Sequence, residues 1–494
     1  MDLLLFQPAP QWEGTRAFGA ISNGLLALAA FLRTKGLEVK ICHFNVAEPI
    51  GSIVERKLAL YSPRVVGINL TWHLLCAAAL RLAREVKQHD SSVKVVMGGA
   101  TASCFDKELL EYVRDQSAAT RDEPWVDLIV RGDGEVPLYE YLTRNVPPKC
   151  NVSFLSQTGR VVQKPIRYVQ DTIPRVRLDD VERLIDNWPE YLDRDGVRTS
   201  VPGLEHDLGH NRAPREVDVF IGKGCRNNCC YCGGCAQAQK RLSGRLRPIF
   251  RPVKDAVADI VSFHNGGTQR IYISFDPHPD RSFYSTLFSE LQKQLTGDLS
   301  LLFSCWSGPL DAKLLDLIER VFSNAEFVIS PDSGSENLRH ELLLRGYGKR
   351  PFYRNADLLH FLQELQNRSM KAMCYFTAGL PWEGAEDWQE TLLLGERIRD
   401  RFENIFVKPH DERVERNLTC IPLYIEPGSP IWYDPDRFRF VVYRRSFQDF
   451  LVNSADPSAT GFLGGWRKRF SSERNVIERA TEFANVVSGV GEAI

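Results

Sequence analysis

The sequence predicts an α/β protein made of two parallel-sheet bodies in tandem. A doubly wound sheet of the Rossmann or flavodoxin-like kind comes first, then a partial (βα)6 barrel, then a mainly helical carboxyl-terminal segment. Three observations carry this reading. Short apolar runs alternate with helical patterns from the first residue. The alternation gives way to a stretch of mixed composition and then resumes. Where it resumes, the strand-like EVDVFIGKG runs straight into GCRNNCCYCGGC (224–235), which holds five cysteines within eleven positions. The boundaries that follow are 1–147, a linker 148–214, a second body 215–432 and a last segment 433–494.

In the first body the strand runs are DLLLFQ, EVKICHF, VVGINL, KVVMGG and DLIVRG. ISNGLLALAAFLRTKG, SIVERKLALYS, LLCAAALRLAREVKQ and FDKELLEYV separate them, and VPLYEYLTRN follows the last. Ligands on such sheets bind beyond the carboxyl ends of the strands. Those ends carry the unusual residues here: Pro8 and Pro10, Thr71-Trp72-His73, Gly98-Gly99-Ala100-Thr101, and Gly132-Asp133-Gly134-Glu135. Each glycine pair taken alone is explained by a turn; four special ends on one rim point to a ligand. No G-x-G-x-x-G follows the first strand, which argues against an ordinary dinucleotide site.

The chain of 494 residues, 43% hydrophobic and 25% charged, has the composition of an ordinary globular protein. A net charge of −1 gives no reason to expect nucleic acid or an anionic membrane as partner. MDLLLFQPAP lacks a basic region, and GLLALAAFL (24–32) is too short to span a bilayer, so a cytoplasmic protein is expected. In a reducing compartment a tight cysteine group reads as metal-binding or redox-active. Cys42, Cys76, Cys305, Cys374 and Cys420 lie in apolar runs and read as small buried hydrophobes.

Cys225, Cys229 and Cys232 have the spacing C-x3-C-x2-C. Three thiolates on a cubane [4Fe-4S] cluster leave one iron open, and S-adenosylmethionine (SAM) can occupy it through its amino and carboxylate groups. Cys230 neighbours a ligand in sequence and reads as a bystander. Cys235 forms a second C-x2-C with Cys232, so a zinc site from Cys229, Cys232 and Cys235 stays open as the competing reading. Further strand-like runs, RIYISFDP, LSLLFSCW, EFVISPDSGSE, KAMCYFTAGLPWEG and TCIPLYIEPGSP, bring the βα units to about six, with sites expected at their carboxyl ends.

KVVMGGATAS and DLIVRGDGEVPLYEYL resemble the amino-terminal cobalamin-binding domain of cobalamin-dependent radical SAM enzymes, and SPDSGSE, FTAGLPWEG and PLYIEPGSP resemble core segments of radical SAM enzymes. The likeness runs from residue 1 to about 435. It implies three cofactors: a [4Fe-4S] cluster on Cys225, Cys229 and Cys232, SAM, and cobalamin. It also implies that Tyr231, Asp276, Asp332, Ser333, Ser335, Gly379 and Glu383 surround SAM. For Glu383 a cap on the following helix is the plain alternative. Cobalamin would lie against Pro8, Thr71, Trp72, His73, Gly98, Gly99, Thr101, Gly132, Gly134 and Glu135. The sequence lacks D-x-H-x-x-G, so that motif supplies no histidine to cobalt. Trp72 is read as a non-coordinating cover, with His73 as the less favoured axial ligand.

The implied activity is transfer of a methyl group from methylcobalamin to an unactivated carbon of a small natural-product precursor, after hydrogen abstraction by the 5′-deoxyadenosyl radical. A non-methylating cobalamin radical enzyme and a zinc or redox sensor are the alternatives. Expected partners are a small or carrier-tethered substrate and an electron donor such as flavodoxin or ferredoxin.

Overall fold

The computed structural model describes residues 1–9, 21–43, 49–176, 178–189, 215–276, 281–406, 418–455, 465–469 and 473–488. Pro10, named above, lies outside them. The described residues fall into two compact units: those of Met1–Arg212, Ala236–Ile249 and Tyr443–Gly465, and those of Ala213–Cys235, Phe250–Val442 and Trp466–Ile494.

The first unit is built on β1 (Leu3–Gln7), β2 (Val39–His43), β3 (Val65–Asn69), β4 (Lys94–Gly98), β5 (Leu128–Val130), β6 (Val152–Leu155) and β7 (Val161–Gln163), in spatial order β2-β1-β3-β4-β5-β6-β7. The first five strands are parallel, and β6 and β7 extend the sheet antiparallel. Every residue of β1, LLLFQ, is buried, as a strand inside a sheet covered on both faces requires. Helices α1 (Asn23–Thr34), α2 (Ile50–Tyr61), α3 (Cys76–His89), α4 (Ala100–Cys104) and α5 (Asp106–Thr120) make the crossovers, and α6 (Glu135–Arg144) leads from β5 to its antiparallel neighbour β6. Strand order reverses between β1 and β3, the switch point at which such sheets open a crevice beyond their carboxyl ends.

Residues 148–214, read from composition as a linker, contribute β6, β7 and α7 (Leu178–Leu184). Ile185 bridges to Ile41, and Asp186 accepts hydrogen bonds from Lys57 and Tyr61, so this segment closes the β2 edge of the sheet.

The second unit begins with β8 (Glu216–Asp218) and the short β9 (Gly222–Lys223). Helix α8 (Ala236–Ser243) belongs to the first unit, and the short β10 (Ile249–Phe250) follows it. The chain then alternates regularly: α9 (Val253–Asn265), β11 (Arg270–Ile273), α10 (Arg281–Gln294), β12 (Ser300–Cys305), α11 (Ala312–Val321), β13 (Asn324–Asp332), α12 (Glu336–Leu344), α13 (Asn355–Asn367), β14 (Lys371–Ala378), α14 (Ala385–Phe402) and β15 (Leu418–Pro422). Six parallel strands lie in chain order from β8 to β15, the arrangement of a partial (βα)6 barrel. Period-two alternation sorts their side chains. Tyr272, Leu302, Val328, Met373 and Tyr375 form one buried cluster, while Phe303 and Phe327 on the other face meet Phe288 of α10 and Phe361 of α13.

The carboxyl-terminal segment is helical with one addition. After α15 (Pro430–Tyr433) and a 3-10 turn at Pro435–Phe438 comes an antiparallel pair, β16 (Phe440–Val442) with β17 (Trp466–Lys468). Between these strands α16 (Phe447–Ala455) packs within the first unit on α3 and α5. Beyond them α17 (Glu473–Ser488) lies against β14, β15 and α14, where the sixth helix of the βα series belongs. Cys42, Cys76, Cys305, Cys374 and Cys420 are all buried.

Candidate functional site

In the second unit the cysteine loop follows β9 and is tied down by its own backbone. Cys232 N–H donates to the Cys229 carbonyl (3.2 Å) and Cys235 N–H to the Cys232 carbonyl (3.4 Å). Two amides point at sulfur: Asn227 N–H at Cys225 Sγ and Gly234 N–H at Cys232 Sγ, each at 3.3 Å. The segment after β15 holds the far side. Glu426 N–H donates to the Tyr231 carbonyl, Ile431 N–H to the Cys230 carbonyl, and Gly233 N–H to the Glu426 carboxylate. A Cβ on Gly233 would stand 2.5 Å from the Pro427 carbonyl oxygen, so that position admits no side chain.

Burial raises the thiols of Cys225, Cys229 and Cys232 above the ordinary cysteine value, and at Cys225 and Cys229 the Lys349 ammonium opposes it. Coordination by a metal removes a thiol proton outright, and the amide N–H groups already aimed at two of the sulfurs suit thiolates. Among the described residues, which include all five loop cysteines, no three His, Cys, Asp or Glu side chains converge as they would around a single ion. A cubane would carry its thiolates on separate irons, and Cys225, Cys229 and Cys232 supply three of them.

Around the loop stand the charged groups Asp332 and Asp276 from two strand ends, and Lys349 from the segment between α12 and α13. β13 loses register with β14 between Ile329 and Asp332, and Asp332 has φ 68°, left-handed backbone that aspartate tolerates better than most residues. That bulge turns its carboxylate to accept from Tyr231 Oη (3.0 Å), Ser330 Oγ (3.0 Å) and Lys349 Nζ (2.6 Å). Burial works against the charge of Lys349, but Asp332 and Cys229 keep its pKa above the ordinary lysine value. Asp276, beyond β11, accepts from Ser307, which accepts from Asn227 Nδ2 at 2.6 Å.

The other expected SAM contacts sit differently. Ser333 and Ser335 are wholly buried; Ser333 bonds Thr391, and Ser335 donates to Asp387 and caps α12 through Leu338 N–H. Their hydroxyls thus join β13 to α14 and α12. Gly379 has φ 96°, and a Cβ there would meet Val476 and Trp466 at about the same close range, 2.9 and 3.2 Å. Its N–H donates to Glu383, whose buried carboxylate also pairs with Arg479 (2.7 Å) and Lys468 (3.8 Å). Sequence reasoning missed Lys349, Asn227 and Ser307. GYGKRPFY (346–353), a turn-rich stretch with two cations, was the available signal for the first.

In the first unit the expected rim forms one hydrogen-bonded floor. Asn69 donates to Gln7 and to Ser22, the N-cap of α1, and accepts from Thr71. Thr71 carbonyl accepts from both Thr101 N–H and Thr101 Oγ1, which binds the β3 end to the β4 end. At Gly99, φ 120°, a Cβ would lie 2.6 Å from the Leu70 and Thr71 backbone, and at Gly132 it would lie 2.8 Å from Ser243 Cα of α8. The space at these two glycines is therefore taken by the protein's own backbone. Gly98 has room, its nearest neighbour being 3.6 Å away. Pro8 is buried after β1, with its carbonyl accepting from Gln7; Gly134 and the buried Glu135 open α6, where a carboxylate suits the helix dipole. Asp133 is bonded to Arg245 at 2.6 Å.

Trp72 and His73 part company. The indole is 44% exposed beside this floor, while the imidazole packs edge-on against Phe450 of α16, ring centroids 5.3 Å apart. Burial, with Arg444 nearby, pushes His73 down to about 3, so the ring is neutral at physiological pH. An exposed indole on a rigid floor of strand ends suits a large planar ring.

Residues 14–142 match the B12 binding domain family. No curated protein sequence matches the chain. Among solved structures it is similar to the radical S-adenosylmethionine methyltransferase TsrM from Kitasatospora setae with tryptophan substrate and the SAM analog aza-SAM bound. That match has TM-score 0.60 and 17% identity, covering 79% of this chain and 70% of that one. TsrM with cobalamin and [4Fe-4S] cluster bound matches at TM-score 0.58 and 17% identity, covering 79% and 71%. The apo form of the cobalamin-dependent S-adenosylmethionine radical enzyme OxsB matches at TM-score 0.55 and 14% identity, covering 84% of this chain and 54% of that one. At these identities the likeness establishes the fold.

Proposed function

From a chain that carries a B12 binding domain and has the fold of the cobalamin-dependent radical SAM enzymes, we infer an enzyme of that chemistry. More finely, we read it as a C-methyltransferase acting on an unactivated carbon of a small natural-product precursor. The observation that carries the radical SAM reading is the set Cys225, Cys229 and Cys232 beyond the first strand of a six-stranded parallel sheet, with amides on two of the sulfurs and partly buried Lys349 alongside; the likeness to a radical SAM methyltransferase supports the finer reading. Bound together, a [4Fe-4S] cluster, SAM and cobalamin supply hydrogen-atom abstraction and the methyl group to be transferred.

The chain's own work is to bind, orient and exclude water. Cys225, Cys229 and Cys232 hold the cluster. Asp276 offers a carboxylate suited to the amino group of SAM, and Lys349 a cation suited to its carboxylate or to the negative charge of the cluster. Tyr231 and Asp332 lock Lys349 in place. No acid–base dyad is required, because abstraction of a hydrogen atom needs none. An electron must come from outside, and a flavodoxin or ferredoxin fits that role. Among the described residues no helix is long and apolar enough to cross a membrane, in keeping with our proposal of a cytoplasmic enzyme.

Anaerobic reconstitution with iron, sulfide, hydroxocobalamin and a reductant tests the reading. We expect absorbance near 400 nm, retention of cobalamin by the full chain, and conversion of SAM to both 5′-deoxyadenosine and S-adenosylhomocysteine when substrate is present. 5′-Deoxyadenosine without S-adenosylhomocysteine would point to the non-methylating chemistry. A folded chain that binds no cobalamin would overturn the reading altogether.

The partition of Trp72 from His73 yields a second expectation. The His73 imidazole is engaged with Phe450, so we expect that it would not serve as a ligand to the cobalt of bound cobalamin. Nitrogen splitting of the cobalt lines in the paramagnetic resonance of the Co(II) form should be the same in the parent and in His73→Ala. Triplets that vanish in His73→Ala would show that the ring leaves Phe450 to bind the metal.

A further inference from the structure

Resting on the reading above, we infer that Asn227 and Ser307 are positioning residues that fasten the Asp276 carboxylate to the cluster-bearing loop, so that affinity for SAM depends on them. Asn227 stands between Cys225 and Cys229 and is buried. Its Oδ1 accepts from Arg350 N–H at 3.0 Å, and its Nδ2 donates to Ser307 Oγ at 2.6 Å. This fixes the orientation of the amide, since the flipped form would set Nδ2 against the Arg350 N–H. Ser307, with no exposed surface, has a single hydroxyl proton. As it accepts from Asn227, that proton goes to Asp276 Oδ2. The chain therefore runs one way: amide, hydroxyl, carboxylate.

Asp276 lies beyond the last ladder residue of β11, Ile273, so sheet pairing does not fix it. The Ser307 hydrogen bond holds its Oδ2, and it passes the constraint through Asn227 to the Cys225–Cys229 loop and through Arg350 N–H to the segment that carries Lys349. The carboxylate assigned to the reactant's amino group is thus tied by one hydrogen-bonded network to the cluster-bearing loop and to the segment that carries Lys349. Nothing in it replaces a cluster ligand, so the network sets where the reactant binds without setting whether iron does.

The test uses the full chain, reconstituted anaerobically, with SAM as the probe. Ser307→Ala and Asn227→Ala should keep the parent's iron content and absorbance near 400 nm while binding SAM about tenfold more weakly. Asn227→Asp retains an acceptor for Arg350 N–H but cannot donate to Ser307, and should fall with the alanine variants. At a fixed subsaturating SAM concentration, the change SAM makes in the paramagnetic resonance of the reduced cluster should shrink in all three. Asp276→Ala should weaken SAM as much, and the Ser307→Ala/Asp276→Ala double variant should be no weaker than Asp276→Ala alone. Parent affinity in Ser307→Ala, or an additive double variant, would overturn the inference. So would loss of iron together with SAM, which would make the network a support of loop folding only. A parent chain that takes up no iron would overturn the proposed function first, and that is visible before any variant is made.

Discussion

Cys225→Ala, Cys229→Ala and Cys232→Ala should each lose iron and SAM cleavage completely, while Cys230→Ala and Cys235→Ala should keep iron near the parent level. The asymmetry follows from how the loop is held. Each of the first three removes one of only three thiolates on the proposed cluster. Cys230 and Cys235 are each about 1% exposed. The backbone of Cys230 is pinned by Ile431 N–H, and that of Cys235 closes the turn onto the Cys232 carbonyl ahead of α8, contacts that survive truncation of the side chain. Removing one buried sulfur should cost stability on the order of 1 kcal/mol, too little to unfold the loop. Iron per chain and absorbance near 400 nm, measured on anaerobically reconstituted protein, decide it. Cys235→Ala losing iron as fully as Cys229→Ala would return the zinc-type ligand set to consideration.

What the sequence made legible was what is local. The β1 to β5 runs, the six strand runs of the second unit and the C-x3-C-x2-C spacing are each written within a few consecutive residues, and each predicts its own element. What escaped depends on contacts between distant segments. Lys349 reads as one cation in a turn until the β13 bulge brings Asp332 to it. Ser307 reads as a residue after a strand until Asn227 and Asp276 meet it. FQDFLVNSA signals a helix with one apolar face, but its period cannot say that the face covers α3 and His73. Glycine was legible as close approach and not as to what: at Gly99 and Gly132 the approaching partner is protein. Ser333 and Ser335 matched core segments of a known family, yet their hydroxyls bond Thr391 and Asp387 of α14.

Glu383→Ala is expected to destabilise the second unit by about 3–5 kcal/mol and to expose α17 to proteolysis. The carboxylate is buried between Gly379 N–H, Arg479 and Lys468, so its loss takes from two cations the carboxylate both pair with. The alternative role, a cap on α14, predicts a loss nearer 1 kcal/mol. The structure already gives the helix start another carboxylate, since Gly384 N–H donates to Asp387 at 2.8 Å. Arg479 also lies over Trp388, whose indole N–H bonds Glu482 of α17, so one charge cluster fastens the last helix to β14 and α14. Denaturant unfolding of the two variants Glu383→Ala and Asp387→Ala separates the roles, and a Glu383→Ala loss no larger than a cap's would defeat this account. The same cluster gives a pH signature. Burial, reinforced by Arg479 and opposed by Glu383 and Asp387, pushes Lys468 down to about 8. Between that value and the ordinary lysine value of about 10.4, the unfolded chain binds a proton that the folded chain has released. Stability contributed at this site must therefore rise with pH across the interval. Subtracting the Lys468→Met curve from the parent curve isolates it, and a difference that stays flat from pH 8 to about 10 would show that Lys468 keeps its proton in the fold.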